Sequence, residues 1–175
     1  MQRSELEHII RASGDIAQDD EIVIIGSQSI LGQFPDAPLR LLASMEADVY
    51  PKHKPELADK VDGAIGEGSS FHEINGYYAQ GVGPETAILP SGWVARVVVV
   101  RNENTNGIAG LCLEVHDLAI SKLVAGRTKD LEFIQELIRH DMICKNVVLT
   151  RLGETELQVS ERRRIGSRIK SMFSN

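Results

Sequence analysis

The sequence predicts an α/β protein: a mixed sheet of about five strands flanked by helices, with a helical segment at the C-terminal end. Two observations predict this class. Short β-branched apolar runs, separated by glycine and proline, occupy residues 21–115, and helical apolar spacing follows from His116 onward. The chain has 175 residues, of which 42% are hydrophobic and 25% charged. These values are typical of one ordinary globular domain.

The first third of the chain carries helix and strand signals in turn. Apolar residues at helical spacing predict a helix over residues 3–13 that ends near Gly14. Residues 21–25, with the sequence Glu-Ile-Val-Ile-Ile, are typical of a buried strand, and a helical stretch begins after them at Ser27. Residues 46–50 alternate in a way that predicts a further strand.

The middle of the chain is richer in strand signals. After a helix predicted over residues 55–65, glycine and proline separate three predicted strands, at residues 77–82, 86–89 and 93–100. The polar segment 102–107 is typical of a turn. It therefore predicts a hairpin between residues 93–100 and 108–115.

The C-terminal third is predicted to be helical, with a last helix over residues 155–173. We expect residues 1–140 to form the core and residues 141–175 a basic helical extension. The whole chain carries a net charge of −6, yet residues 151–175 hold six basic side chains against three acidic ones. The commonest interpretation of such a helix is a solvated amphipathic face. The alternatives are binding of RNA or docking on a negatively charged partner.

The apolar runs, the N-terminal residues and the cysteine spacing indicate the cellular compartment of the protein. The longest apolar runs are far too short to cross a bilayer, and the N-terminal residues lack the apolar core of a signal peptide. The two cysteines, Cys112 and Cys144, have neither zinc-site nor disulfide-framework spacing. We expect a reduced, cytoplasmic protein with no membrane partner.

The first segment that could bind a ligand lies at the end of the first predicted strand. A strand that enters a helix through Gly26-Ser27 leaves backbone N–H groups free at the turn, which suits a phosphate. Gly26 allows close approach of a ligand, and Ser27 or Ser29 offers a hydroxyl donor or a helix cap. Taken alone, the segment is more typical of a simple capped helix.

The second segment is an acidic pair on a strand. Glu46 and Asp48 are two residues apart, so their side chains point to the same face. Two converging carboxylates repel each other unless a cation lies between them, and hard oxygen ligands suit Mg²⁺ or Mn²⁺. The alternative interpretation is an acidic strand end that faces solvent.

The third segment covers residues 114–130. Asp117 is a candidate helix N-cap, and Lys122 lies in an otherwise apolar stretch, where a lysine is costly unless it meets an anion or reaches solvent. Arg127 and Lys129 follow Gly126. The functional interpretation is a cationic cluster for a triphosphate, and the alternative is a helix–turn–helix joint with capping charges.

Together these segments resemble the nucleotidyltransferases of the polymerase-β superfamily. In that superfamily a hydrophobic strand leads to Gly-Gly or Gly-Ser, and an acidic-x-acidic pair lies on the next strand. The third segment is similar to a signature of AbiEii-like toxins. It is still more similar to an uncharacterised nucleotidyltransferase-like family of short bacterial proteins, which also carries a Leu-Pro-x-Gly-Trp element, here residues 89–93.

The resemblance implies specific roles. The acidic pair would bind Mg²⁺ (or Mn²⁺), and an NTP would be the substrate. A third carboxylate is expected on a neighbouring strand; Glu114 is the best candidate for it and Asp117 the next. The remaining roles implied are phosphate contacts or pocket geometry for Gly26, Ser27, Lys122, Arg127, Lys129 and Asp130.

Two functions follow from the resemblance. The first is metal-dependent transfer of NMP from an NTP to an RNA such as tRNA, or to a protein, with a role as the toxin of a toxin–antitoxin pair. The basic C-terminal helix would then hold RNA. The second is a catalytically inactive binding module, either an antitoxin or a nucleotide sensor. A cognate toxin or antitoxin protein is the implied partner.

Overall fold

The computed structural model describes residues 1–174. Its centre is one mixed sheet of five strands in the spatial order β3-β2-β1-β5-β4. The strands are β1 (Glu21–Ile24), β2 (Glu46–Pro51), β3 (Tyr78–Gly81), β4 (Val98–Val100) and β5 (Ala109–Cys112).

Strand directions bring four segments to one edge of the sheet. The central strand β1 pairs antiparallel with β2 and parallel with β5, while β2 pairs parallel with β3. The ends of β1 and β5 therefore lie at the same edge as the starts of β2 and β3. Gly26, Glu46, Tyr78 and Glu114 are all at or just beyond this edge.

α-Helices and short 3-10 helices pack around the sheet. The α-helices are α1 (Arg3–Ala17), α2 (Ile30–Gln33), α3 (Ala58–Ile65), α4 (Ser70–Asn75), α5 (Val115–Ala125), α6 (Thr128–Arg139), α7 (Lys145–Gly153) and α8 (Val159–Met172). Short 3-10 helices lie at Ser27–Ser29, Leu39–Leu42, Pro55–Leu57, Pro84–Thr86 and Trp93–Arg96. Helix α1 packs across the sheet and against α3, and α5 packs against α6 and α7, on which α8 lies.

The predicted fold class is confirmed, as are most of its elements. The predicted strands at residues 21–25, 46–50 and 77–82 agree with β1, β2 and β3 to within two residues. The predicted hairpin is also present, because β4 pairs antiparallel with β5. The last helix begins at Val159 rather than near residue 155.

Two strand predictions are wrong, one because the strand is absent and the other because the strand is shorter than predicted. Residues 86–89 form no strand, and Trp93–Arg96 is a 3-10 helix. Gly92 has a φ of 75°, which turns the chain immediately before Trp93. The N–H of Ser91 donates to the carbonyl of Glu154 at 3.0 Å, so this segment is bound to the end of α7 and not to the sheet.

Helix α1 is longer than predicted because Gly14 does not end it. A side chain at Gly14 would collide with Ile108, and its Cβ would lie 2.9 Å from the carbonyl oxygen of Asp19. The glycine thus permits close packing of α1 on the segment before β5. The helix ends instead at Gln18, which has a φ of 51°.

The C-terminal helices are tied to the rest of the chain by polar contacts. Nε of Arg151 on α7 lies 3.2 Å from Oδ1 of Asp117 on α5. On the far side of α7, Arg162 of α8 donates to the carbonyl of Thr155 at 2.8 Å. Within residues 1–174, no helix is both long and apolar enough to cross a membrane.

Candidate active site

A cleft of about 720 Å³ opens at the sheet edge where β1 ends and β2 begins. All three segments singled out from the sequence line it. The residues they contribute are Gly26, Ser27, Glu46, Asp48, Lys122, Arg127, Lys129 and Asp130. The structure therefore brings the predicted phosphate turn, acidic pair and cationic cluster together in one place.

The carboxylate of Asp48 packs directly against the backbone of Gly26. The backbone N–H of Ile25 donates to the carbonyl of Asp48 at 3.1 Å, which fixes β1 beside β2 at this point. A Cβ on Gly26 would overlap the carboxylate of Asp48 and lie 2.6 Å from its Cγ. The φ of Gly26 is −82°, a value open to any residue, so the requirement for glycine is steric.

Tyr78 and Gln80 stand beside the acidic pair. The register of β2 and β3 places Glu46 opposite Tyr78 and Asp48 opposite Gln80, with side chains on the same face. The hydroxyl of Tyr78 donates to Oε2 of Glu46 at 3.2 Å. Burial and the charge of Glu46 raise the pKa of Tyr78 to about 12, so this hydroxyl remains a donor at neutral pH.

A buried carboxylate organises the cations. Asp130 is fully buried; it accepts from Nε of Arg127 at 2.7 Å and lies 3.3 Å from Nζ of Lys122. Burial acts to raise the pKa of Asp130, but hydrogen bonds and charge from Arg127 and Lys122 outweigh it, so the pKa is lowered. Nζ of Lys122 also lies 5.6 Å from the ring centre of Phe133, a cation–π distance.

In the acidic pair, the pKa of Asp48 is shifted in the opposite direction to that of Asp130. Burial, followed by the charge of Glu46, raises the pKa of Asp48, although Lys122, Lys129 and Arg127 act to lower it. Within residues 1–174, neither carboxylate has a basic side-chain nitrogen within 4.0 Å. The two neighbouring carboxylates therefore repel each other on their shared face of β2.

Comparison with known proteins gives a family match. Residues 4–169 match a protein family described as nucleotidyltransferase of unknown function, DUF6036. The chain belongs to this family. It matches no curated protein and no solved structure. The family supports a general nucleotidyl transfer function and confirms the predicted nucleotidyltransferase resemblance, while the relationship to AbiEii-like toxins stays a prediction.

For a nucleotidyltransferase, the open acidic pair fits a divalent metal ion. Nucleotidyltransferases generally use such ions. Glu46 and Asp48 supply hard oxygen ligands on one face of β2. Burial and the charge of Glu46 raise the pKa of Asp48, and a bound cation would offset both effects. Tyr78 orients one oxygen of Glu46 and leaves the other to a ligand. We therefore regard these two side chains as those able to hold the metal.

The structure places Glu114, the first candidate for a third carboxylate, at the start of α5. Glu114 caps α5: it accepts from the N–H of His116 at 3.0 Å and contacts Nδ1 of the same residue at 2.6 Å. It is not among the residues that line the cleft. The prediction that Asp117 caps the helix is wrong. Asp117 is buried and accepts from Nε of Arg96 at 2.8 Å.

Two further predicted site residues, Ser29 and Asp130, have side chains that are not open to a ligand in the cleft. Ser29 is fully buried, lies outside the cleft lining, and has a hydroxyl without a hydrogen-bond partner. Asp130 lines the cleft, but its carboxylate is occupied by Arg127 and Lys122. In the described chain, Glu46 and Asp48 are thus the cleft carboxylates that remain unpaired with a cation.

The sequence did not identify the remaining cleft walls. These are mainly Arg40, Leu41, Gln80, Val82, Ile88 and Phe133. The alternation of β3 was a usable signal, since Tyr78 and Gln80 share a face whichever strand lies beside them. No pattern within residues 39–42 indicated that this segment borders the cleft, because its place depends on packing against α6.

A second cluster of ligand-type side chains lies at the opposite end of β1. Asp19, Asp20 and His53 have ligand atoms within 4.8 Å of one another. Asp19 already accepts from the N–H of His53 at 2.8 Å and from that of Glu21 at 3.1 Å. These bonds explain the cluster as the joint between the end of α1 and the end of β2. Antiparallel pairing, which residue spacing does not show, brings His53 there.

Proposed function

We propose that this chain transfers a nucleoside monophosphate from an NTP to a hydroxyl of an RNA, such as tRNA, or of a protein. One observation carries the proposal: the cleft combines an unpaired carboxylate pair, Glu46 and Asp48, with three cationic side chains from the junction of α5 and α6. The cations are Lys122, Arg127 and Lys129. A triphosphate and a divalent cation together need both kinds of group.

The cations lie where the phosphates of an NTP would be held. Arg127 and Lys129 are exposed in the cleft, and Lys122 is held beneath them by Asp130. Arginine can bind two phosphate oxygens at once, whereas lysine acts as a point charge. Gly26 and Ser27 form the adjoining wall, where the lack of a side chain at Gly26 permits close approach.

Glu46 and Asp48 would hold Mg²⁺ or Mn²⁺ on their shared face. A bound divalent ion supplies neutralisation of phosphate charge and lowers the pKa of a coordinated hydroxyl. In the transfer itself, the acceptor oxygen forms a bond to the α-phosphorus. The bond from the α-phosphorus to the bridging oxygen breaks, pyrophosphate leaves with that electron pair, and the acceptor proton passes to water.

The biological setting is also part of the proposal. The similarity of residues 114–130 to AbiEii-like toxins favours the toxin of a toxin–antitoxin pair, with an antitoxin protein as partner. A modified tRNA would be the natural product of such a toxin. The basic helix α8 offers a surface for its backbone.

A second function rests on a specific observation. Asp130 is bound to Arg127 and Lys122, and Glu114 is bound to His116, so the cleft offers two carboxylates to a metal where three are expected. This favours an inactive binding module, a nucleotide sensor or an antitoxin. Such a module would bind an NTP with a metal ion and transfer nothing.

The deciding experiment measures transfer of α-³²P label from each of the four NTPs to total RNA, to tRNA and to the protein itself, with Mg²⁺ and with Mn²⁺. The site variant is Glu46→Ala/Asp48→Ala. The matched control is Glu103→Ala/Glu132→Ala, which removes two exposed carboxylates outside the cleft lining.

Label with wild type and with the control, but not with the site variant, would support the enzyme and identify its nucleotide and acceptor. Metal-dependent NTP binding by calorimetry without any label would instead support the inactive module. Absence of both label and NTP binding would overturn both proposals.

A further inference from the structure

Helix α8 carries an unusual set of unpaired cations. Across its 14 residues it has one acidic side chain, Glu161, and five basic ones: Arg162, Arg163, Arg164, Arg168 and Lys170. Within residues 1–174, none of the five lies within 4.0 Å of a carboxylate. Several basic side chains on other elements, among them Arg96 and Arg151, are held in ion pairs.

Four of the five basic side chains divide into two groups around the helix, while the fifth, Arg162, donates to the carbonyl of Thr155. Ile165 and Ile169 are buried and define the seam against the protein. Arg164 and Arg168 are four residues apart and flank this seam on one side. Arg163 and Lys170 are seven residues apart and point to the opposite, solvent side.

One member of the flanking group, Arg168, reaches the turn beside the cleft. A Cβ placed on Gly126 would lie 3.2 Å from Nη1 of Arg168. Gly126 has a φ of 65° at the end of α5 and directly precedes Arg127, a cleft residue. The guanidinium of Arg168 thus lies beside the same turn that presents the cleft cations.

We propose that Arg164 and Arg168 continue the cleft cations into one basic track that holds a single-stranded polynucleotide acceptor by its phosphodiester backbone. The inference rests on the proposed function and names the acceptor of that site. The strand would lie along the flank of α8 and pass over Gly126, with its terminal hydroxyl directed to the NTP beside Arg127.

Charge distribution favours a polynucleotide over a folded acidic protein. The chain as a whole carries −6, so a polyanion is repelled from most of its surface and attracted to this track. Unpaired arginine guanidinium groups match phosphate oxygens in geometry as well as in charge. A strand end also fits into a cleft that a globular surface cannot enter.

The first experiment measures binding of a fluorescein-labelled, mixed-sequence 12-nucleotide RNA, and of the DNA of the same sequence, by fluorescence anisotropy. The track variant is Arg164→Gln/Arg168→Gln. The matched control is Arg163→Gln/Lys170→Gln, which removes the same charge from the same helix on its solvent side. Circular dichroism and thermal unfolding check that both variants fold.

We expect the track variant to bind the RNA about tenfold more weakly at low salt, and the control to lose less than about threefold. The slope of log Kd against log salt should fall by about 1.4 in the track variant, since each single-strand phosphate contact contributes about 0.7. Equal weakening in both variants, or no RNA binding by wild type, would overturn the track. DNA binding as tight as RNA binding would support it and show that the 2′-hydroxyl is not read.

A second experiment tests the direction of the strand. With 4-thiouridine at the 3′ end of the RNA, crosslinks should map by mass spectrometry to the cleft segments, and with 4-thiouridine near the 5′ end they should map to α8. Reversed or scattered crosslinks would overturn the inference.

Neither experiment requires nucleotide transfer, so the two proposals fail separately. RNA binding on the track without label transfer would refute the enzyme only, and transfer to the protein without RNA binding would refute the track only.

Discussion

At the scale of single residues, the position of Asp48 depends on the absence of an atom from Gly26. The carboxylate occupies the space where a Cβ would lie, so β1 and β2 can approach closely only with glycine at residue 26. The carboxylate that results is partly buried, faces Glu46 and has a raised pKa. A position that is unfavourable for a bare carboxylate is suited to one that binds a cation.

Gly26→Ala should therefore reduce nucleotide transfer without unfolding the protein. The backbone at residue 26 tolerates alanine, but the new methyl group must displace Asp48. We expect label transfer to fall at least about tenfold, with a change in unfolding free energy of about 1–2 kcal/mol. Gly63→Ala is the control, because a Cβ there meets nothing within 4 Å. A Gly26→Ala variant with wild-type transfer would contradict this role.

Asp48→Asn should stabilise the metal-free protein at neutral pH. Burial and the charge of Glu46 raise the folded pKa of Asp48 above its unfolded value, so stability is lost as pH rises above the unfolded pKa, and pH 7 lies above it. In EDTA we expect Tm to rise by about 2 °C. Adding Mg²⁺ should raise the Tm of wild type but not of the variant. A lower Tm for Asp48→Asn in EDTA at pH 7 would refute this explanation.

Tyr78→Phe should raise the Mg²⁺ concentration that transfer requires while leaving the protein folded. The variant loses the hydrogen bond that orients Glu46. We expect a loss of about 0.5–1.5 kcal/mol in stability and a several-fold increase in the Mg²⁺ concentration for half-maximal transfer. Tyr77→Phe is the matched control, since its hydroxyl contacts Nδ1 of His8, away from the cleft. The same Mg²⁺ requirement in both variants would show that Tyr78 has no such role.

At the scale of elements, the junction between α5 and α6 places the cations. Asp130 on α6 accepts from Arg127, which precedes that helix, and pairs with Lys122 on α5. One buried carboxylate thereby fixes two helices and two cleft cations together. Loss of its charge would leave Lys122, which is largely buried, without a counterion.

Asp130→Asn should consequently affect both stability and transfer. We expect a loss of about 3 kcal/mol in unfolding free energy, the usual cost of breaking a buried pair, and weaker NTP binding by calorimetry. The folded pKa of Asp130 is lowered, so its contribution in wild type should persist at neutral pH and be lost only as pH falls through and below the ordinary range of an aspartate. Arg139→Gln, which removes an exposed ion-pair partner on α6, serves as control. A neutral effect of Asp130→Asn would contradict this assignment.

The sequence predicted the helices and strands that depend on local signals. It also predicted which residues lie together within one strand or one turn. Glu46 and Asp48 share a face because strand side chains alternate, whatever surrounds them. Gly14 was misread because a glycine that ends a helix and a glycine that permits close packing look the same in sequence. The cap of α5 was assigned to Asp117 for a similar reason, since both Glu114 and Asp117 are acidic and only the contacts in the folded chain distinguish them.

At the scale of the whole molecule, one carboxylate joins the C-terminal helices to the core. Asp117 binds Arg96, which precedes β4, and pairs with Arg151 on α7. The N–H of Ser91 donates to Glu154 at the end of α7. These contacts cross the boundary at residue 140 that the sequence suggested, and they attach the helices that carry the basic track to the elements that form the cleft.

We therefore expect residues 141–175 to unfold together with the rest of the chain. Trp93 is the single tryptophan and lies two residues from Ser91, so its fluorescence in urea reports on the contact with α7. Circular dichroism at 222 nm reports on all helices. The two transitions should coincide and remain coincident in Asp117→Asn, which we expect to be less stable by about 3 kcal/mol. If fluorescence changes at a clearly lower urea concentration than circular dichroism, the C-terminal helices detach as a separate unit, and their position beside the cleft is then too weakly held to guide an acceptor strand.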